Sequence, residues 1–297
     1  MRLVVTGREG QVARSLIEKA DLAGDIDVIA LGRPELDLTQ PSTISAAIAA
    51  AKPDFVVSAA AYTAVDQAED EPDLAHLVNA IGAGAVAGAA AALDIPVIHL
   101  STDYVFAGDG TGPYRETDAT GPHGAYGRTK LEGETAVATA NPRHIILRTA
   151  WVYSPFGKNF VRTMLRLAET RDTVSVVSDQ WGNPTSALEI ADAIIVVAKA
   201  LAADAPSNAY GTYHLAGTGD TNWSGFARAI FASSRQHGGP FADVTDIATA
   251  DYPTRARRPL NSRLATDKFF SVFSWRAPDW RVSTDETVAR LLSEPNH

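Results

Sequence analysis

The stretch Leu3-Val4-Val5-Thr6-Gly7-Arg8-Glu9-Gly10-Gln11-Val12 joins a short apolar run, two glycines three residues apart, and a helical pattern that continues through Leu16, Ile17 and Ala20. Unbroken apolarity, rather than alternation, marks a strand covered on both faces. Glycines at its end let the backbone approach a diphosphate, and the helix that follows offers free N–H groups at its N-terminus. An ordinary tight turn would use the same residues. The position between the first strand and the first helix favours a dinucleotide site at Gly7 and Gly10. Ala13 stands where a third glycine usually allows close helix packing, a small departure that leaves such a site usable.

The same alternation recurs downstream. Strand-like runs lie at Asp27-Val28-Ile29-Ala30-Leu31, Asp54-Phe55-Val56-Val57-Ser58, Pro96-Val97-Ile98-His99-Leu100 and His144-Ile145-Ile146-Leu147-Arg148. Helical segments separate them: one after Pro41, a long alanine-rich one ending near Leu93, and one carrying Tyr126 and Lys130. This order predicts an α/β chain with a Rossmann-like, doubly wound parallel sheet. After about residue 150 the rhythm breaks into turn-rich pieces, with a helix over roughly Ala187 to Leu201. The expected division is a dinucleotide-binding lobe of residues 1–150 plus about 180–222, and a smaller α+β substrate lobe of about 151–179 and 223–297.

Composition removes several function classes. The chain has 297 residues, 26 basic against 35 acidic, and a formal charge of -9, which disfavours a nucleic-acid partner. It contains no cysteine, so disulfides, thiolate metal sites and a cysteine nucleophile are absent. The seven histidines show no ligand spacing, and no metal is expected. No run suggests a span of roughly 20 apolar residues or a signal peptide, so no membrane partner and cytoplasmic residence are the expectations.

Three places carry chemistry. Strand two ends before Gly32-Arg33, where an acidic residue would normally accept the ribose hydroxyls of NAD. Arg33 could instead pair with a 2′-phosphate, which favours NADPH with NADH still possible, or be a solvated loop residue. Strand four runs into Ser101-Thr102-Asp103-Tyr104. Ligands collect at the carboxyl ends of strands in open parallel sheets, so Thr102 can donate to a substrate carbonyl oxygen, although an isolated threonine there also suits a turn. Tyr126 and Lys130 are four apart, hence on one helical face. An ammonium beside a phenol lowers the phenol's pKa and prepares it to deliver a proton.

With Gly7-x-x-Gly10, Ser101-Thr102-Asp103 and Tyr126-x-x-x-Lys130 in that order, the chain resembles the extended short-chain dehydrogenase/reductase family. Within it the chain is similar to nucleotide-sugar ketoreductases through Ala59–Glu69, Ser101–Phe106, Arg148–Tyr153, Asp179–Thr185 and Arg258–Ser262. The resemblance implies NADPH-dependent reduction of the 4-keto group of a dTDP-sugar. It assigns Gly10, Gln11 and Val12 to the diphosphate turn, Asp37 and Leu38 to the adenine side, and Ala60, Ala61 and Thr63 to the loop after strand three. Tyr126 and Lys130 become the catalytic pair, Lys130 also holding the nicotinamide ribose; Thr102, Asp103 and Trp151 become substrate contacts. Trp151 also reads as a core aromatic at the lobe junction. Arg258 and Asn261 are candidates for the nucleotide diphosphate, with a solvated loop the competing reading of Arg255, Arg257 and Arg258.

Departures narrow the chemistry. Sugar dehydratases that resemble this chain carry Thr-Asp-Glu, whereas Tyr104 follows Asp103 here, leaving reduction. Another ketoreductase, or a regulatory subunit keeping a nucleotide pocket, are the alternatives. Some members of the family resemble dimers bridged by a divalent ion on three glutamates. Glu189 and Glu294 match two of these positions, but the third is Ser15, so no tightly bound ion and a monomer or weak homodimer are expected.

Overall fold

The computed structural model describes residues 1–203 and 209–293. The first half alternates as the apolar runs predict: β1 (Arg2–Thr6), α1 (Gln11–Ala23), β2 (Asp27–Leu31), α2 (Pro41–Ala51), β3 (Phe55–Ser58), α3 (Pro72–His76), α4 (Ala83–Ala92), β4 (Val97–Thr102), α5 (Ala125–Ala140) and β5 (His144–Thr149). The second half adds β6 (Val152–Tyr153), α6 (Phe160–Ala168), β7 (Thr173–Val177), β8 (Trp181–Gly182), β9 (Thr185–Ser186), α7 (Ala187–Ala202) and β10 (Gly211–His214). It ends with β11 (Thr221–Asn222), α8 (Trp223–Gln236), β12 (Asp243–Ile247), α9 (Asp267–Phe273) and α10 (Trp280–Ser293).

Six strands form one parallel sheet in the order β10-β5-β4-β3-β1-β2. The chain runs outward from β1 to β2, then returns past β1 to β3. That reversal opens a crevice between the carboxyl ends of β1 and β3, where this class of sheet binds ligands. Along β1, Leu3 and Val5 face a core shared with Leu16 of α1 and Ile194 of α7, while Val4 faces Ile44 of α2 and Val86 of α4. Both faces are covered, which explains the lack of alternation in the sequence. Each fully buried Leu, Ile or Val contributes about 1.5–3 kcal/mol relative to exposure.

One sequence expectation needs correction. The continuous helical stretch Pro72–Ala92, which includes a π-helical segment at Leu77–Gly82, is long and apolar enough by composition to cross a membrane. It is built largely from alanine and packs against α2 and α5, with half of its most apolar window buried inside the protein. Its hydropathy therefore serves internal packing.

The second half builds a smaller layer. Parallel strands β7 and β12 pair beside α6, α8 and α10 around Tyr153, Met164, Phe226, Ile230 and Trp280. The chain re-enters the sheet layer three times. α7 covers the face shared with α1, β10 extends the sheet beside β5, and α9 inserts Phe269 and Phe273 against Tyr213. α9 thus packs on the sheet although it falls in the 223–297 stretch. Conversely Trp181 of β8 exchanges backbone hydrogen bonds with Leu260 and Ser262, and β8 pairs with β11.

Candidate active site

β1 ends at Thr6, and Gly7 turns the chain with φ 96°, a value L side chains rarely adopt. Thr6 Oγ1 accepts the N–H groups of Ala59 and Ala60, each at 3.0 Å, tying this turn to the loop after β3. Gly10 is the N-cap of α1 and no side chain caps the helix, so its first N–H groups keep their capacity for an anion. This donor set fits a dinucleotide diphosphate. Gln11 has a different task from a simple turn residue. Its Oε1 accepts from Ser154 Oγ at 2.8 Å and Asn159 Nδ2 at 3.0 Å, anchoring the loop to the chain beyond β6.

Val12 packs partly buried against the sheet core. Arg33 is exposed just past β2, and Arg8 Nη1 donates to its carbonyl at 3.3 Å, so two guanidinium groups flank that strand end. Asp37 Oδ1 accepts from the backbone N–H and the hydroxyl of Thr39 at 2.9 and 2.8 Å. Those bonds hold its carboxyl below the usual range, and the side chain serves the turn. Leu38 is buried, Ala60 and Ala61 are half-buried, and Thr63 is exposed beyond β3.

The reaction centre forms where β4 meets the start of α5. α5 has no side-chain cap of its own; Glu69 Oε1 accepts the Ala125 N–H at 2.7 Å instead. Gly127 sits so close to the β4 exit that a Cβ would lie 2.2 Å from the Tyr104 carbonyl oxygen. This approach puts Tyr126 against Tyr104, ring edge to face at 5.7 Å, with Thr102 near enough to influence its phenol. Thr102 Oγ1 donates to Asp103 Oδ1 at 2.9 Å and accepts the Tyr104 N–H at 3.2 Å. Burial raises Asp103 to about 6, opposed by hydrogen bonds from Ser262 and Thr102.

The structure changes the expected electrostatics of the pair. Burial drives the Tyr126 pKa well up, opposed by its hydrogen bond with Thr102. Lys130 is not among the charges acting on it. Its ammonium donates to Leu100 O at 2.6 Å and lies 3.3 Å from His99 Nε2, and burial lowers its pKa to about 8 against the pull of Glu134. In this state Tyr126 is a protonated donor. Helical spacing alone aligned the two Cα–Cβ directions but left the partner of a long, rotatable lysine undetermined.

Other assigned residues separate. Trp151 has φ 47°, strained for a bulky residue, and stacks on Trp223 at 3.6 Å and 8°. It packs against core residues of both layers, so the junction reading and the contact reading describe one position. Arg258 is half-buried, pairs with Asp66 at 2.5 Å and donates to the Tyr104 hydroxyl at 3.2 Å. The solvated-loop reading fails for Arg258 and holds for exposed Arg257; Arg255 is exposed but pairs with Asp70. Asn261 is buried with its amide engaged internally: Nδ2 donates to Gly112 O at 2.8 Å and Oδ1 accepts from Arg263 Nε at 2.7 Å. Its amide thus ties the Gly112 loop to Arg263.

Arg258, Asp66, Tyr104, Met164 and Trp223 line a cavity of about 690 Å³ between the layers. Asp66, Tyr104 as an aromatic wall, Trp223 and His99 were not singled out from sequence as site residues. Only Asp66 and Tyr104 carried a signal, lying in the segments that resemble the family. Trp223 had none. Among the described residues, no group of three His, Asp or Glu side chains is placed to hold a metal. Ser15 is fully buried, and Glu189 accepts from the Ser283 hydroxyl; Glu294 lies outside the described residues. Burial first, then Glu286 and Asp192, raises Glu189 to about 8.

The glycine turn after β1, Thr102 and Tyr126 at the carboxyl end of β4 and the buried Lys130 suit an oxidoreductase of the short-chain dehydrogenase/reductase type. The model of the RmlD substrate binding domain matches residues 1–293, and the chain belongs to that family. It is 51% identical over 294 residues to the dTDP-4-dehydrorhamnose reductase of Sinorhizobium fredii, covering 99% of each chain. The dTDP-4-dehydrorhamnose reductase of Escherichia coli is 41% identical over 298 residues, covering 99% of this chain and 98% of that one. Among solved structures, a dTDP-4-dehydrorhamnose reductase from Bacillus anthracis in complex with NADP superimposes with a TM-score of 0.90 at 32% identity, covering 97% and 99% of the two chains.

Proposed function

We propose that this protein reduces the C4 keto group of dTDP-4-dehydro-β-L-rhamnose to give dTDP-L-rhamnose, with NADPH as the reductant. The observation that carries the reading is the convergence of Thr102, Tyr104 and Tyr126 at the carboxyl end of β4, with Tyr104 lining a cavity large enough for a sugar nucleotide. The likeness to reductases of this name over nearly the full chain supports it.

A nicotinamide cofactor held at the Gly7–Val12 turn and by Lys130 would supply the hydride. With substrate bound, the Thr102 hydroxyl turns its single proton from Asp103 to the substrate oxygen, and Tyr126 gives that oxygen the proton that completes the alcohol. The elevated Tyr126 pKa keeps that proton in place until negative charge develops on the oxygen. Lys130 has three N–H donors, and its two recorded contacts leave one for the cofactor ribose. Arg8 and Arg33 at the β2 end favour a 2′-phosphate. Arg258 offers a cation at the cavity wall for the substrate diphosphate, and the stacked Trp151 and Trp223 form a flat apolar surface at the lobe junction. Asp103 orients Thr102. The smaller layer thereby acts as the sugar-nucleotide lobe.

A monomer or weak homodimer and cytoplasmic residence belong to the same reading. Its support is Ser15 in place of an acid and the engagement of Glu189 with Ser283. The deciding experiment follows NADPH absorbance with dTDP-4-dehydrorhamnose and with other nucleotide 4-keto sugars. Preferential turnover of the first, with dTDP-L-rhamnose as product, is expected; turnover only of another sugar would sink the assignment.

A further inference from the structure

Next to Lys130, β4 and β3 bring together two buried polar side chains that the chemistry above does not use. His99 and Ser58 are in parallel register and each is 1% exposed. His99 Nδ1 lies 3.0 Å from Ser58 Oγ, while its Nε2 lies 3.3 Å from the Lys130 ammonium. An ammonium has only donors, so the nitrogen facing it must be the lone-pair nitrogen. The imidazole proton then sits on Nδ1 and is donated to Ser58.

We infer that His99 is a positioning residue for the reduction: as a neutral imidazole oriented by Ser58, it accepts a hydrogen bond from Lys130 and holds the buried ammonium charged and in place. The inference rests on Lys130 acting as a working cation. Burial, followed by the Lys130 charge, keeps His99 neutral. The charged groups around the lysine are few. Glu134, one turn further along α5, favours its charge from a distance. Its carboxylate is already bound by Arg148 of β5, at 2.9 and 2.7 Å, and by Ser101 at 2.5 Å. Direct acceptance from Lys130 falls to Leu100 O and His99. A buried cation that loses one of two acceptors loses stabilisation of its charged form, so its pKa falls and its N–H groups lose direction. A serine that fixes the histidine's tautomer repeats the logic by which the partner of one ring nitrogen sets the role of the other.

The test begins on the ligand-free full chain. Nitrogen-15 NMR of the imidazoles, with His99→Gln used to assign the signal, should show His99 neutral, protonated on Nδ1, and untitrated from about pH 5.5 to 9. A proton on Nε2, or ordinary titration near neutrality, would overturn the inference even if the enzyme were fully active. In the assay, His99→Leu should move the alkaline limb of the kcat profile down by about one pH unit, a tenfold loss of turnover there. His99→Gln, whose Oε1 can accept, should restore most of it. Equal losses in both variants with an unchanged pH profile would assign His99 a packing role only. Full activity of Lys130→Met would instead refute the lysine's role and leave the tautomer measurement standing.

Discussion

The Gly7–Val12 turn with the Tyr126–Lys130 helix differs from the Trp151–Arg258–Asn261 region in what fixes its geometry. In the first, each functional side chain sits on or next to a regular element of the sheet layer, and spacing along one strand or helix decides which face it takes. In the second, every partner is remote. Trp151 meets Trp223, Arg258 meets Asp66 and Tyr104, and Asn261 meets Gly112. The contrast teaches that a motif is legible when its geometry is local, and that a surface assembled between layers is not.

Substitutions can break or sharpen that contrast. The largest effect belongs to the local motif. Tyr126→Phe should lower kcat by about 10²–10⁴-fold, the range for loss of a positioned acid, while changing the NADPH dissociation constant little. Near-normal turnover in steady-state assays would remove Tyr126 as the proton donor. A smaller effect is expected between the layers. Arg258→Ala should raise KM for the sugar nucleotide by about tenfold or more, in line with a charge-assisted contact of about 1.5–3 kcal/mol. Cofactor affinity measured by fluorescence titration should not move; a parallel loss of NADPH binding would show that Arg258 supports the sheet layer instead.

The smallest effect concerns stability away from the cavity. Glu189 has a folded pKa raised from 4.5 to about 8. Its contribution is therefore fully present below the unfolded value and is lost as pH rises through about 8, because the native state must then hold a buried charge. Glu189→Gln should leave Tm at pH 5 nearly unchanged and raise it at pH 9 by about 2–4 °C, the shift that roughly 1 kcal/mol produces in a chain of this size class. A fall in Tm at pH 9 would mean that the carboxylate is stabilised by something the ligand-free chain lacks.

Much of the sheet layer was readable before any coordinates. Unbroken apolar runs at Leu3–Thr6, Phe55–Ser58 and Val97–Leu100 became central parallel strands because both faces are covered. The missing glutamate at Tyr104 correctly removed dehydration chemistry from the reading, yet the same residue proved to form a wall of the site and a partner for Arg258. The alanine-rich helix is of membrane length by hydropathy alone, but its small residues let it pack closely against α2 and α5 inside the protein. Nothing in Asp267–Phe273 says which layer its two phenylalanines enter, and the fold places them against Tyr213 of the sheet layer.

The sequence by itself determined the order of elements and put the glycine turn, the Thr102 hydroxyl, the Tyr126 phenol and the Lys130 ammonium at the ends and faces of those elements, because strand and helix periods convert spacing directly into a common face. Tertiary structure alone decided the partners of those groups. It set Lys130 on Leu100 O and His99 rather than on Tyr126, engaged Asn261 internally, and paired Arg258 with Asp66. Long polar side chains reach whichever acceptor packing brings within about 3 Å, and that choice depends on segments far apart in the chain.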